Sequence, residues 1–69
     1  MEITMKAARI NAGYTQKEAA RLLKVSRDTV SNWERGKSYP DVANLRDIER
    51  VYNVRYDDLI FLPFDTLGR

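Results

Sequence analysis

The sequence predicts an all-α domain of five short helices, with the second and third joined by a tight turn into a helix-turn-helix. Three observations carry this expectation. Helix-capping residues recur along the chain: Thr15 with Glu18 matches the S/T-x-x-E capping box, and Ser26 and Asp41 each stand just before another apolar run. Between these caps the apolar residues repeat at helical spacing. No alternation of apolar and polar residues is long enough to support a strand. At 69 residues the chain is read as one domain, 1–69, with the helix-turn-helix at 16–35 and an apolar tail at 59–69.

The first helix is expected over residues 4–12, with Met5, Ala8 and Ala12 on one face and Gly13 closing it in a left-handed conformation. Arg9 lies close to that apolar face, and an arginine buried there requires an anionic partner. Tyr14 sits where a hydrophobic staple residue would. The second helix begins at Gln16 and presents Ala19, Ala20 and Leu23 on one side. Lys24 then ends it in the left-handed region, where glycine is cheaper by about 1 kcal/mol. Val25 points inward and Ser26 caps the third helix, expected over 27–35 with Val30 and Trp33 inside and Gly36 after it.

Asp41 caps a fourth helix with Leu45, Ile48, Val51 and Tyr52 along one stripe and Asn53 as its stop. Val54 reads as a core plug, and residues 55–60 read as a last short helix that Pro63 prevents from continuing. Residues 66–69 are expected to fray.

Composition weighs against several functions. A domain of this size buries only about 60% of the surface its unfolded chain exposes, and without Cys no disulfide can reinforce it. The absence of both Cys and His removes the usual nucleophiles, imidazole bases and metal ligands, so no catalytic residue, no metal and no cofactor is assigned. No apolar run approaches the roughly 20 residues of a membrane span, and no signal-peptide core is present, which places the chain in the cytoplasm.

The net charge is only +2, but its distribution is uneven. Residues 1–40 hold eight basic and four acidic side chains, whereas residues 41–69 hold four and six. The basic half contains the helix-turn-helix, as expected of a surface that displaces counterions from nucleic acid; solvation of small helices by basic side chains is the plainer account of the same count. Within the third helix Arg27, Asp28, Thr29, Ser31 and Asn32 have no core to enter and project outward.

Taken in order and at their spacing, these residues carry a resemblance. The chain has Arg9 four residues before Gly13, the run Gly13-Tyr14-Thr15-Gln16, Ala20, then Val25 and Ser26 at the turn. Val30 and Trp33 follow in the third helix, then Glu34-Arg35-Gly36-Lys37 and Pro40. Over about residues 4–62 it resembles the phage-repressor and Cro-type, or XRE-like, helix-turn-helix family. That resemblance implies a compact, lambda-repressor-like five-helix fold and sequence-specific binding of double-stranded DNA by a transcriptional regulator, with repression the expected mode. It further implies that Arg9 pairs with Glu34, and that Gln16, Lys17, Ser26 and Lys37 meet phosphate. Arg27, Asp28, Thr29, Ser31 and Asn32 take the positions that face base edges.

The side-chain chemistry suits such a role: arginine bonds guanine O6 and N7 together, asparagine bonds adenine N6 and N7, and aspartate accepts from cytosine N4. Arg27 and Asn32 are the leading base readers; about 140° apart around the helix, they reach bases together only if its N-terminal half enters the groove. Asp28 equally suits the positive end of the helix dipole. Trp33 is assigned to the core.

The chain departs from the family pattern at Ala19, Lys24 and Arg55, positions that bear on stability more than on binding. Leu59, Ile60, Phe61, Leu62, Phe64 and Leu67 are too many apolar residues for a short terminus to expose, so a homodimer through this region on an inverted-repeat operator is expected. The alternative is an antitoxin-like or other protein-interaction module whose DNA binding serves autoregulation.

Overall fold

Four helices and a pair of very short strands make up the computed structural model, which describes residues 2–61. Strand β1 is Ile3–Thr4, followed by helices α1 (Met5–Asn11), α2 (Gln16–Leu23), α3 (Arg27–Glu34) and α4 (Val42–Tyr52). A single 3-10 turn at Tyr56–Asp58 leads into β2 (Leu59–Ile60).

Each of the four helices starts at a side-chain cap. Thr4 Oγ1 accepts from Ala7 N at 3.1 Å, and Thr15 and Glu18 form a complete capping box, with Glu18 N donating to Thr15 Oγ1 and Thr15 N to Glu18 Oε1. Ser26 Oγ accepts from Thr29 N at 3.0 Å, and Asp41 Oδ1 from Asn44 N at 2.8 Å. The bond from the Thr15 backbone N–H, with the threonine hydroxyl second, holds the Glu18 carboxyl below its ordinary range.

Where α1 gives way to α2, Gly13 takes φ +90 with nothing within 4 Å of the position a Cβ would occupy, so backbone conformation rather than space calls for glycine. Lys24 and Asn53 end α2 and α4 in the left-handed region at φ 60 and φ 57. Both ends are stitched by backbone bonds, Val25 N to Ala20 O and Val54 N to Glu49 O.

The core gathers Met5 and Ala8 from α1, Ala19 and Leu23 from α2, Trp33 from α3, Ile48 and Tyr52 from α4, and Leu59 from β2. Ile3, Ala12, Tyr14, Val25, Leu45, Val51, Val54 and Phe61 pack around it. Among the described residues, no helix is long and apolar enough to cross a membrane.

The end of the chain corrects the expected five-helix, wholly helical plan. Residues 55–60 do not form a fifth helix: Arg55 is extended at φ -99, ψ 142, and only Tyr56–Asp58 turn, through a bond from Asp58 N to Arg55 O. So short a segment cannot repay helix nucleation, and two successive aspartates are poor helix formers. Leu59 and Ile60 instead pair in parallel with Ile3 and Thr4, joining the two ends of the described chain. Glu49 Oε2 accepts from Tyr56 N at 2.6 Å and fixes the turn that precedes this strand. The first helix also begins one residue later than expected, because Thr4 is its cap, and the third ends at Glu34.

Leu59 was expected in a partner-facing tail, yet it is only 9% exposed inside the chain's own core. Phe61 meets Tyr39 edge-on at 6.1 Å between ring centroids and lies 6.3 Å from Tyr56. The expectations for Leu62, Pro63, Phe64, Leu67 and the fraying of 66–69 concern residues outside those described.

Among the described residues one buried polar atom stands without a hydrogen bond, the Tyr52 hydroxyl. Burial, and then the nearby Glu34 carboxylate, push its pKa up to about 12. Because the folded value lies above the ordinary value of 10.0, the folded state holds this proton where the unfolded chain releases it. The contribution is therefore complete below pH 10 and is lost as pH rises through about 12. Tyr52→Phe is expected to raise stability by about 1 kcal/mol at neutral pH. It should also flatten the alkaline loss relative to the parent chain. Urea unfolding of both proteins at pH 7 and along a series above pH 10 measures this; equal alkaline slopes would contradict the assignment.

Candidate nucleic-acid interface

Helix α3 is held by the two sides of its own sequence. Val30 is fully buried and Trp33 is 4% exposed, which fixes the rotation of the helix about its axis. With that face committed, Arg27 and Asp28 are exposed in the first turn, while Thr29, Ser31 and Asn32 are half-buried on the outer flanks. Asp28 lies in the first turn, where the helix dipole favours a carboxylate.

The turn Lys24–Ser26 between α2 and α3 is made by one left-handed residue, one half-buried valine and one cap. The cap serine does more than satisfy the backbone, since its Oγ also lies 2.9 Å from Thr29 Oγ1. These two hydroxyls therefore share one hydrogen bond at the entrance of α3.

Behind the helix lies a buried polar knot. Arg9 Nε donates to Glu34 Oε2 at 2.7 Å and Arg9 Nη2 to Glu34 Oε1 at 3.2 Å, a two-pronged pair whose side chains are only 8% and 3% exposed. Arg9 Nη1 reaches the Tyr14 carbonyl at 2.8 Å, which ties the loop before α2 to the same guanidinium. The hydrogen bond with Glu34 outweighs desolvation and raises the Arg9 pKa, so this guanidinium stays charged.

Gln16 completes the knot by donating from Nε2 to Glu34 Oε1 at 3.0 Å. The first residue of α2 is thus bound to the last residue of α3. Lys17, next along α2, and Lys37, just beyond α3, are both exposed. Gln16, Lys17, Ser26 and Lys37 bracket α3: the first two open α2, the third caps α3, and the last follows it.

Asn32 is not isolated on the outer face. Its Oδ1 accepts from Arg35 Nη2 at 3.0 Å, three residues on. Arg35 entered the sequence reading only as part of the motif Glu34-Arg35-Gly36-Lys37, and the bond from Gln16 to Glu34 was not foreseen at all. The first had a local signal in its i, i+3 spacing; the second joins residues 18 positions apart and had none.

A family model described as helix-turn-helix matches residues 5–59. The chain belongs to the phage-repressor-type, XRE-like helix-turn-helix family.

Relatives within the helix-turn-helix family include the HTH-type transcriptional regulator ImmR of Bacillus subtilis, 45% identical over 56 residues, covering 81% of this chain and 44% of ImmR. The HTH-type transcriptional activator BcrR of Enterococcus faecalis is 37% identical over 62 residues, covering 87% of this chain and 30% of BcrR. The chain therefore spans less than half the length of either protein. An uncharacterized HTH-type transcriptional regulator of Archaeoglobus fulgidus is 33% identical over 67 residues, covering 97% of this chain and 96% of the relative.

The knot behind the helix-turn-helix gives a direct stability test. Glu34→Ala leaves the Arg9 guanidinium buried without a carboxylate and Gln16 without its acceptor, and should cost about 3 kcal/mol or more. Replacing both charges, as in Arg9→Met with Glu34→Leu, should cost less than Glu34→Ala alone. Chemical denaturation of the three proteins decides the matter, and a Glu34→Ala protein as stable as its parent would show that the pair contributes nothing.

Proposed function

We propose that the chain is a sequence-specific transcriptional regulator that reads the major groove of double-stranded DNA with α3. The observation that carries this reading is the division of α3, whose buried Val30 and Trp33 leave Arg27, Asp28, Thr29, Ser31 and Asn32 on outer positions. Membership of the helix-turn-helix family, and relatives described as transcriptional regulators, support it.

In this reading Arg27 and Asn32 contact base edges, with Asp28, Thr29 and Ser31 alongside, while Gln16, Lys17, Ser26 and Lys37 hold the phosphate backbone. Gln16 and Lys17 stand at the positive end of the α2 dipole, where phosphate is favoured. Gln16 is aimed by its bond to Glu34, so its contact is set by the buried knot. Lys17 and Lys37 are exposed point charges suited to sequence-independent attraction.

Repression by occlusion of a promoter needs no surface beyond this face, whereas activation needs a further contact with polymerase. BcrR, by name, is an activator, so the direction of regulation for the present chain rests on that economy.

Two copies acting as a homodimer would place their α3 helices about 34 Å apart on an inverted-repeat operator. The C-terminal region is the proposed contact, supported by the apolar residues that follow β2 in the sequence, Phe61, Leu62, Phe64 and Leu67, and by the half-exposed rings of Tyr39 and Tyr56 flanking Phe61. Because Leu59 and β2 belong to the fold itself, a truncation that probes this contact must begin after Phe61. Sedimentation of the full chain and of a chain ending at residue 61 tests it; the same monomer–dimer equilibrium in both would remove the tail from the interface.

Selection of bound sequences from random duplex DNA tests the reading of α3. Arg27→Ala should relax preference at one base pair by about 1–3 kcal/mol and leave the other positions as they were. Lys37→Ala should weaken all sequences alike and lower the salt-dependence slope by about 1. Identical selected motifs for the parent and Arg27→Ala would remove Arg27 from the base contacts.

A further inference from the structure

We propose that Arg35 determines which base Asn32 reads, turning an adenine-type side chain into a guanine reader. The inference rests on the reading of α3 as a major-groove helix and deepens it. Its physical basis is the bond from Arg35 Nη2 to Asn32 Oδ1 at 3.0 Å.

A side-chain amide carries one acceptor and one donor group. To bond adenine at two points, Oδ1 must accept from N6 while Nδ2 donates to N7. In this protein Arg35 Nη2 already donates to Oδ1. With Oδ1 so engaged, Asn32 has a donor face left to offer a base, its Nδ2–H groups.

Guanine is the complement of such a face, because its major-groove edge presents two acceptors, O6 and N7. Adenine would bring its N6 amino group against a positively charged donor. The second lone pair of Oδ1 can still accept, but the guanidinium beside it disfavours a second donor such as adenine N6.

Position along α3 separates this contact from the first one. Arg27 opens the helix, whereas Asn32 lies near its end and Arg35 is the residue that caps it. The base read by the Asn32–Arg35 pair is therefore different from the base read by Arg27. Arg35 is exposed and its side chain is not part of the core, so it can be changed without disturbing Val30 or Trp33. It acts here as a positioning residue, through Asn32.

The test is selection of random duplex DNA by the full chain and by Asn32→Ala, Arg35→Met and Arg35→Lys, with circular dichroism to establish that each variant is folded. Asn32→Ala should randomise one column of the selected motif, and the parent should carry guanine in that column. Arg35→Met should shift that column toward adenine by about tenfold in the adenine-to-guanine ratio, leaving the Arg27 column unchanged. Arg35→Lys, which still offers a donor to Oδ1, should keep guanine.

The proposal is overturned if the parent carries adenine in that column, if Arg35→Met retains guanine there, or if Asn32→Ala alters no column. A uniform loss of affinity with a flatter salt dependence in Arg35→Met, its motif intact, would make Arg35 a phosphate anchor only and equally overturn the proposal. Failure of the parent to enrich any sequence would instead defeat the major-groove reading itself, and this inference with it.

Discussion

The two-pronged bond between Arg9 and Glu34 is the constraint on which the rest of this small domain depends. It joins the last turn of α1 to the last residue of α3, and through the Tyr14 carbonyl and Gln16 it also holds the start of α2. Three helices thus meet on one carboxylate. A chain of 69 residues has limited apolar surface to bury, so the angle between α2 and α3 rests heavily on such directional contacts. Desolvation offsets much of the attraction in a buried ion pair, whereas removing one partner strands the other charge. In the proposed reading the pair matters because it fixes the orientation of α3 relative to α2.

That coupling runs in both directions. The same Glu34 oxygen that receives Arg9 Nη2 also receives Gln16 Nε2, so the carboxylate that completes the core also aims a residue at the start of α2. Ser26 is shared in a similar way between capping α3 and bonding the Thr29 hydroxyl. Gln16, Ser26, Thr29 and Asn32, proposed for phosphate or base contacts, are therefore already engaged within the protein. In the proposed complex their pre-ordering would reduce the conformational entropy lost on binding and limit the partners each could accept.

Much of the fold was legible because its signals are local. Thr15 with Glu18, Ser26 and Asp41 cap helices within three residues of themselves, and Lys24 occupies the left-handed position that the break in periodicity implied. What escaped was non-local. The parallel pairing of Ile3–Thr4 with Leu59–Ile60 involves two residues on each side, too few to create alternation, and it brings together opposite ends of the described chain. Residues 55–60 carry an apolar end that resembles a helix face, but its Leu59 is drawn into the core as a strand. The outer residues of α3 were legible as a row, because Val30 and Trp33 fix the rotation of the helix. Their hydrogen bonding was not, since the bond between Asn32 and Arg35 depends on rotamers that spacing alone leaves free.

The distinction between residues that are merely exposed and those already hydrogen-bonded changes how specificity is assigned on a recognition helix. An exposed arginine such as Arg27 presents its whole fork to whatever edge it meets, and its preference follows from guanidinium geometry. An amide held by a neighbour presents only what the neighbour leaves. On the proposal made for Arg35, two chains with the same residue at the position of Asn32 read different bases if they differ at the position of Arg35. A code that assigns one base to one side chain fails wherever such pairs occur. On this proposal the unit of recognition at this end of α3 is the pair, and the hydrogen bond that forms it is made within the chain itself.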